Sequence, residues 1–201
     1  MRGGRRIRAG ALCPKVRRLR RPVFGVLAIA AVMAAVLLAM GRVPICTCGE
    51  VLLWYGQADG PGNSQHIADW YTPSHIIHGF LFFAALAWVR PGWSVGARMV
   101  VASLVEAAWE VAENSPMVID RYREATLAAG YQGDSVLNSL ADLGWMLLGF
   151  AIAARLPWKA TLALGVFFEL LALYAIRDNL TLNVLMLLWP VEGIRDWQAA
   201  G

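Results

Sequence analysis

Four apolar stretches, each of which could cross a bilayer, divide the sequence. They are residues 23–40, 74–89, 136–154 and 158–176. Runs of this kind predict transmembrane helices, because in lipid every backbone polar group must find its hydrogen-bond partner within the helix. The segment 180–190 is also apolar, but it is too short to span. It therefore predicts a re-entrant or interfacial helix.

A fifth crossing is predicted over residues 96–114, although acidic residues lower its hydropathy. The stretch VEAAWEVAEN places Glu106, Glu110 and Glu113 at i, i+4 and i+7, on one face of a helix. The basic loops 90–98 and 155–159 both favour the cytoplasmic side, so one crossing must lie between them. A helix over 96–114 would rise about 28 Å, enough for the hydrocarbon core.

Composition and charge support this topology. The chain is 58% hydrophobic and only 16% charged, a balance typical of membrane proteins. Residues 1–22 carry nine Lys or Arg and no acid, and they run directly into an apolar span. This favours a cytoplasmic N-terminus over a nucleic-acid-binding tail. The fold class is thus all-α, a polytopic helix bundle of about five transmembrane helices in a bacterial inner membrane. A basic tail (1–22) precedes one transmembrane domain (23–201). The partner predicted for this domain is the lipid bilayer.

The polar groups of three spans fall at similar depth. Counted along the chain, the second span (74–89) carries His75 and His78 in its first outer turns. The third span (96–114) carries the three glutamates in its outer half. The fourth span enters through a polar face of Asp134, Asn138 and Asp142. We therefore expect these faces to meet in a pocket open to the outside. The candidate catalytic residues are His78, Glu110, Glu113, Asn138 and Asp142.

Each candidate also has a structural interpretation. The histidines could cap or bridge helices, and Asp134-Ser135 could form an N-cap. Glu169 either joins the pocket or faces a partner. A divalent metal is one option for the cofactor, with candidate ligands His75, His78, Glu106 and Glu110. Two histidines with carboxylates suit zinc, manganese or iron, although no metal motif of fixed spacing is present.

Two basic residues and two cysteines lie outside the bilayer on this map. Arg121 and Arg123, with Asp134, are candidates for binding an anionic or lipid-linked head group, because arginine pairs bidentately with phosphate. Ion pairing of the arginines with Asp120, Glu124 or the pocket carboxylates is an equal alternative. Cys46 and Cys48 could form a metal clip, a redox pair or a structural turn.

Long sequence blocks carry a resemblance to a known family. The blocks are GRVPICTCG, SQHIADWYTPSHIIHG, EAAWEVAEN, YQGDSVLNSLAD and RDNLTLNVLMLLWP. Over roughly residues 40–197 the chain resembles an uncharacterised family of bacterial multi-pass inner-membrane proteins. The resemblance implies a membrane bundle but no established activity.

A weaker resemblance is to the VanZ-like family, which is associated with glycopeptide resistance at the cell envelope. In order along the chain it rests on His78, on Glu110 with Glu113, on Arg121 or Arg123, and on Asp134 with Asn138. Glu113 replaces a glutamine of that family, and Ser74 stands where an acid often precedes the histidine. The shared order implies a shared fold, and function follows from it only by analogy.

Three functions are compatible with these observations. The preferred one is an enzyme or binder that acts on an envelope lipid or a lipid-linked precursor. The second is a transporter or proton-coupled carrier, although no inverted repeat or broken helix is visible. The third is a structural or assembly protein whose polar groups lock the helices together.

Overall fold

The computed structural model describes residues 14–126 and 130–200, with no side-chain description for 14–20. Most of the predicted basic tail, residues 1–13, lies outside the described residues. Within these ranges the chain is all-α, as predicted, with no β-strand. The helices are α1 (Pro14–Ala39), α2 (Thr72–Val89), α3 (Val95–Glu113), α4 (Pro116–Ala125), α5 (Val136–Ala153), α6 (Trp158–Ile176), α7 (Leu180–Leu188) and α8 (Glu192–Ala199).

Four of the helices in the described ranges are long and apolar enough to cross a membrane. They are α1 over Arg21–Ala39, and the whole of α2, α5 and α6. The bounds of α2, α5 and α6 agree with the predicted spans to within two residues. Helix α3 has 19 residues, as α6 does, but its arginine and three glutamates leave it too polar by composition. Several apolar helices of this length are typical of a membrane protein.

The tightest helix contact joins α2 to α5. Gly79 and Gly149 face each other across it, so closely that a Cβ on Gly79 would overlap the Met146 carbonyl. A Cβ on Gly149 would likewise overlap the Ile76 carbonyl. Small residues at such crossings let two backbones approach closely, which is a common way for helices to pack in membranes. The crossing fixes the α2 histidines relative to the polar face of α5.

Helix α3 packs between α1, α2 and α5. Gly25 of α1 lies against Val100, and Gly96 lies against Pro22 of α1. The apolar centre of the bundle is formed by residues of α1, α3 and α5, among them Leu37, Ala102 and Met146. Helix α6 lies at the edge, where only Ala172 of its 19 residues is buried. This exposed apolar face of α6 is suited to lipid.

The segment between α1 and α2 folds over one end of the bundle. Ser135 N donates to the Ser64 carbonyl at 3.0 Å, and Val136 N donates to the Val43 carbonyl at 2.9 Å. The indole N–H of Trp145 donates to the Ile67 carbonyl at 2.8 Å. Cys46 and Cys48 are joined by a disulfide in this segment, a bond that fits both the redox and the structural-turn alternatives. The segment thereby anchors the first turns of α5.

The C-terminal part begins with the short helix α7, as predicted for 180–190. Asn179 caps it by accepting from Leu182 N at 2.8 Å. Glu169 of α6 reaches the same helix end, where it accepts from Leu180 N and Thr181 N, each at 3.1 Å. A carboxylate at a helix N-terminus is stabilising. Glu169 therefore holds α7 and does not line the cavity, a role that was not among the sequence alternatives.

Candidate functional site

Two histidines of α2 converge on one buried glutamate of α3. His75 Nδ1 lies 2.8 Å from Glu106 Oε1, and His78 Nδ1 lies 3.0 Å from Glu106 Oε2. Glu106 is fully buried. Because a carboxylate oxygen can only accept, Nδ1 is the donor in both contacts, and in a neutral ring this leaves Nε2 as an acceptor. Three residues that the helical spacing placed at one depth therefore do meet.

Glu110 lies one helical turn from Glu106 in a different environment. It is 0% exposed, and neither of its carboxylate oxygens has a hydrogen-bond partner among the described residues. Its nearest potential cation is His75, whose Nδ1 is 3.6 Å from Glu110 Oε1. The other ring nitrogen of His75, Nε2, lies 3.8 Å from Asp142 Oδ2 of α5. The His75 ring of α2 thus lies beside Glu106 and Glu110 of α3 and Asp142 of α5.

A second polar cluster lies at the end of α3. Asn114 donates to Asp134 Oδ2 at 2.8 Å and accepts from Asp134 N at 2.7 Å. The Tyr131 hydroxyl donates to Asp134 Oδ1 at 2.8 Å. Burial raises the pKa of Asp134, although these hydrogen bonds oppose the rise. The predicted N-cap of α5 is formed by Ser135, which accepts from Asn138 N at 3.1 Å. Asp134 is consequently free for its contacts with Asn114 and Tyr131.

Tyr122 of α4 connects this region to α3 and α7. Its hydroxyl donates to Glu113 Oε1 at 2.9 Å and lies 3.0 Å from Asn183 Oδ1. Burial, and then the nearby Glu113 carboxylate, raise the pKa of Tyr122 well above its usual value, so the phenol stays a neutral donor. Sequence reasoning did not select Tyr122, Tyr131 or Asn183 as site residues. The placement of Tyr122 between two arginines was the one visible signal.

These groups surround a cavity of about 320 Å³. Its polar side carries His75, His78, Glu113, Asp134, Asn138 and Asp142. Its apolar side carries Phe82, Val105, Trp109, Leu180 and Val184. Glu106 and Glu110 lie behind His75 and do not line it. Val105 and Val184 are 47% and 42% exposed, so the apolar side reaches the outer surface of the bundle between α3 and α7. The cavity is amphipathic along its length.

Asn138 has a structural contact as well as a place on the cavity wall. Its Nδ2 donates to the His66 carbonyl at 2.8 Å, which ties α5 to the segment between α1 and α2. This contact uses one of the two N–H hydrogens of Nδ2 and leaves the other, together with the side-chain oxygen, for further partners.

The two arginines of α4 lie near the cavity without lining it. Arg121 Nε donates to the Leu187 carbonyl at 2.9 Å. Arg123 Nε donates to the Tyr131 carbonyl at 2.5 Å, and its Nη1 lies 3.4 Å from Asp120. The contact between Arg123 and Asp120 is of the kind that the ion-pair alternative predicts. Binding of an anionic head group by either arginine stays a prediction.

Sequence comparisons place the chain among bacterial proteins of similar length. The model of the family described as protein of unknown function (DUF2585) matches residues 37–200. A UPF0314 protein of Sphingopyxis alaskensis is 55% identical over 174 residues, which cover 87% of this chain and 93% of that protein. Another, from Paracoccus denitrificans, is 52% identical over 191 residues, covering 94% and 99%. A third, from Agrobacterium fabrum, is 56% identical over 180 residues, covering 88% and 90%. No solved structure matches the chain.

Proposed function

The chain belongs to the DUF2585 family of proteins of unknown function, and we propose that it binds the polar head of an envelope lipid or lipid-linked precursor in its cavity and acts on it there. The observation that carries this proposal is the amphipathic cavity itself. Its wall carries ionisable groups as well as apolar side chains, and two of the apolar residues, Val105 and Val184, are half-exposed at the surface of the bundle. An amphiphile would place its head among the ionisable groups and its chain along the apolar side chains.

The apolar opening lies where a hydrocarbon chain could leave the protein. Val105 and Trp109 of α3 face Val184 of α7 across it. Leu104 beside Val105 is 58% exposed, so apolar surface continues outward from the opening. A chain lying here would stay in contact with apolar side chains and with lipid, and burying each CH₂ group contributes about 0.8 kcal/mol.

The polar side carries groups suited to acid and base work on a bound head group. His78 keeps Nε2 as an acceptor while Glu106 holds Nδ1, which is how a carboxylate orients a histidine base. Asp69, Glu113, Asp134 and Asp142 are the carboxylates on the cavity wall, and Asn138 can accept from or donate to a hydroxyl. Arg121 and Arg123 flank Tyr122 on α4, so they are proposed to meet an anionic group at the rim.

The membrane placement is part of the proposal. We propose five crossings within one domain of a bacterial inner membrane, a cytoplasmic N-terminus, and a cavity open to the outside. Helix α3 supports its own crossing, because it is polar inside and apolar outside. Glu106 and Glu110 are fully buried, whereas Leu104 and Val105 are half-exposed. A helix in lipid orients its ionisable side chains this way.

A distant relationship with VanZ-like proteins belongs to the same proposal. The residues on which it rests lie on α2, α3, α4 and at the start of α5, around one cavity. Their common location supports a shared site and does not by itself identify a reaction.

The proposal is tested by lipids that remain bound through purification. Native mass spectrometry of the full-length protein should show a retained lipid or lipid-linked molecule. Val105→Trp and Val184→Trp fill the opening and should each reduce its occupancy about tenfold, which corresponds to about 1.4 kcal/mol. Leu162→Trp is the matched control, because Leu162 is an exposed apolar residue of α6 away from the cavity.

The possible results of this experiment distinguish lipid binding in the cavity from the alternatives. Equal lipid retention in all three tryptophan variants and the wild type would contradict the proposal. Selective loss of anionic lipid when Arg121 and Arg123 are both replaced by Gln would assign the head-group contact to them. Unchanged anionic lipid in that double variant would assign the arginines to ion pairing.

A further inference from the structure

We propose that His75, Glu110 and Asp142 form a binding site for one divalent metal ion of the zinc, manganese or iron(II) class. The inference goes beyond the lipid-binding proposal and does not depend on it. It rests on the arrangement of three side chains from α2, α3 and α5, and on the state of the Glu110 carboxylate.

The first observation is the proximity of the three groups. One ligand atom from each of them lies within 4.8 Å of the others, and all three residues are buried. His75 Nε2 is 3.8 Å from Asp142 Oδ2, and Glu110 Oε1 lies beside the same ring, 3.6 Å from the Nδ1 that contacts Glu106. Small side-chain adjustments bring such atoms to the roughly 2.0–2.2 Å at which imidazole and carboxylate bind zinc. One nitrogen and two oxygens suit the proposed metals.

The second observation is the unpartnered Glu110 carboxylate. Both oxygens are buried, and neither has a hydrogen-bond partner among the described residues. Burial of an ionised carboxylate without a partner is strongly unfavourable. Its neighbours do not offset this. Within the described part of the chain, the six carboxylates that line the cavity or lie behind His75 have only His75 and His78 as cationic partners within 4 Å; these carboxylates are Asp69, Glu106, Glu110, Glu113, Asp134 and Asp142. A divalent cation would supply the missing charge.

The third observation is the role of Glu106. It holds Nδ1 of His75 at 2.8 Å, and this fixes the tautomer in which Nε2 is free to bind a metal. Metal-binding histidines almost always donate their other N–H to a carboxylate, a carbonyl or a water. Glu106 therefore orients the ligand and is not itself a ligand. The sequence-based set of His75, His78, Glu106 and Glu110 is narrowed to His75 and Glu110, and Asp142 is added.

A second pair of carboxylates beside Glu110 could compete for the metal, but both already accept hydrogen bonds. Glu113 and Asp134 also lie near Glu110, but Tyr122 donates to Glu113, while Tyr131 and Asn114 donate to Asp134. A metal there would have to displace these hydrogen bonds. Asp142 makes no such contact among the described residues, so the His75 side of Glu110 is favoured. His75 and Asp142 both line the cavity, so an ion held there would face a bound head group.

The test is a titration of the full-length protein, stripped of metal with a chelator and purified in detergent. Titration with Co²⁺, followed by its visible absorption and by competition with Zn²⁺, should show one site per chain. Glu110→Gln and Asp142→Asn should weaken Co²⁺ binding at least about 100-fold, because losing a ligand costs more than the roughly 10–100-fold typical of an orienting residue. Glu106→Gln should fall within that smaller range. Glu124→Gln is the control: it removes an exposed carboxylate of α4 that does not line the cavity, and it should bind Co²⁺ as the wild type does.

A measurement on the wild type keeps the proposal falsifiable if a variant fails to fold. Pulsed EPR of the Mn²⁺-loaded protein should show coupling to one imidazole nitrogen. Absence of this coupling, or unchanged Co²⁺ affinity in folded Glu110→Gln, would overturn the metal site. Val184→Trp separates the two proposals, since it should bind Co²⁺ normally even while it loses lipid.

Discussion

Asp178, at the turn between α6 and α7, is a buried carboxyl away from the proposed metal ligands. It accepts from Tyr71 O–H at 3.2 Å and from its neighbour Asn179 N at 2.9 Å. Burial raises the pKa of Asp178 above its usual value of 3.8, although these hydrogen bonds oppose the rise. The folded protein therefore holds the Asp178 proton more tightly than the unfolded chain does.

This raised pKa makes stability depend on pH in a defined direction. The contribution of Asp178 is fully present below its unfolded-state pKa and is lost as pH rises through the folded-state pKa. Asp178→Asn cannot ionise and keeps an acceptor oxygen. We expect it to flatten the fall of the melting temperature with rising pH above the usual carboxyl pKa. Thermal unfolding in detergent at a series of pH values measures the slope.

The control for Asp178→Asn is Asp59→Asn, which removes an exposed carboxylate and should keep the wild-type slope. A wild-type slope in Asp178→Asn as well would show that this carboxyl does not sense pH in the folded protein.

At the residue scale, helical periodicity predicted the centre of the candidate site but not its rim. Glu106 and Glu110 lie on one helix face because they are four residues apart. His75 was expected to face them because the polar groups of the two spans were predicted to lie at similar depth in the membrane. Tyr131 and Asn114 were not predicted. They join the site through the loop before α5 and the end of α3, where hydrogen bonds and not periodicity decide the positions of side chains.

Among the elements, the α2–α5 crossing makes the sharpest prediction. Gly79→Ala places a methyl group against the backbone of Met146 and Phe150, which cannot retreat as a flexible side chain would. We expect a loss of at least about 1–3 kcal/mol, the usual cost of overpacking a close contact. It should appear as a lower melting temperature of the purified protein, and the α2 histidines should shift relative to α5.

Gly144 of α5 provides a control on one of the same two helices. A Cβ at Gly144 meets nothing within 4 Å, so Gly144→Ala adds helix propensity without a clash. It should be neutral or should stabilise the helix by about 0.5–1 kcal/mol. A melting temperature for Gly79→Ala equal to that of Gly144→Ala would contradict the close crossing.

The long helices and α7 could be predicted from the sequence, whereas the short helices α4 and α8 could not. Apolar length alone located α2, α5 and α6, because lipid requires a helix of a fixed minimum length. Helices α4 and α8 have only 10 and 8 residues and lie in segments of mixed polarity. Ser115 followed by Pro116 is a helix-start signal that marks α4, and it is visible only after the end of α3 is known.

At the scale of the whole molecule, the side toward which the cavity opens depends on whether α3 crosses the membrane. If α3 crosses the membrane, then α4 and the segment 41–71 lie on the same side, and the cavity between α2, α3 and α5 opens toward that side. The hydrogen bonds from the start of α5 to Ser64, Val43 and His66 agree with this arrangement, because they bring the two segments together. The charge distribution favours the outside for this shared side.

Labelling of single cysteines in intact cells tests this central claim most directly. In a chain whose three native cysteines are replaced by serine, Cys is introduced at Gly60, Trp93 or Met117, and an impermeant maleimide is applied. The account predicts labelling at Gly60 and at the exposed Met117 in the first turn of α4, and labelling at Trp93 only after permeabilisation. Labelling of Gly60 in intact cells, with Met117 reacting only after permeabilisation, would show that α3 does not cross and would contradict the outward cavity.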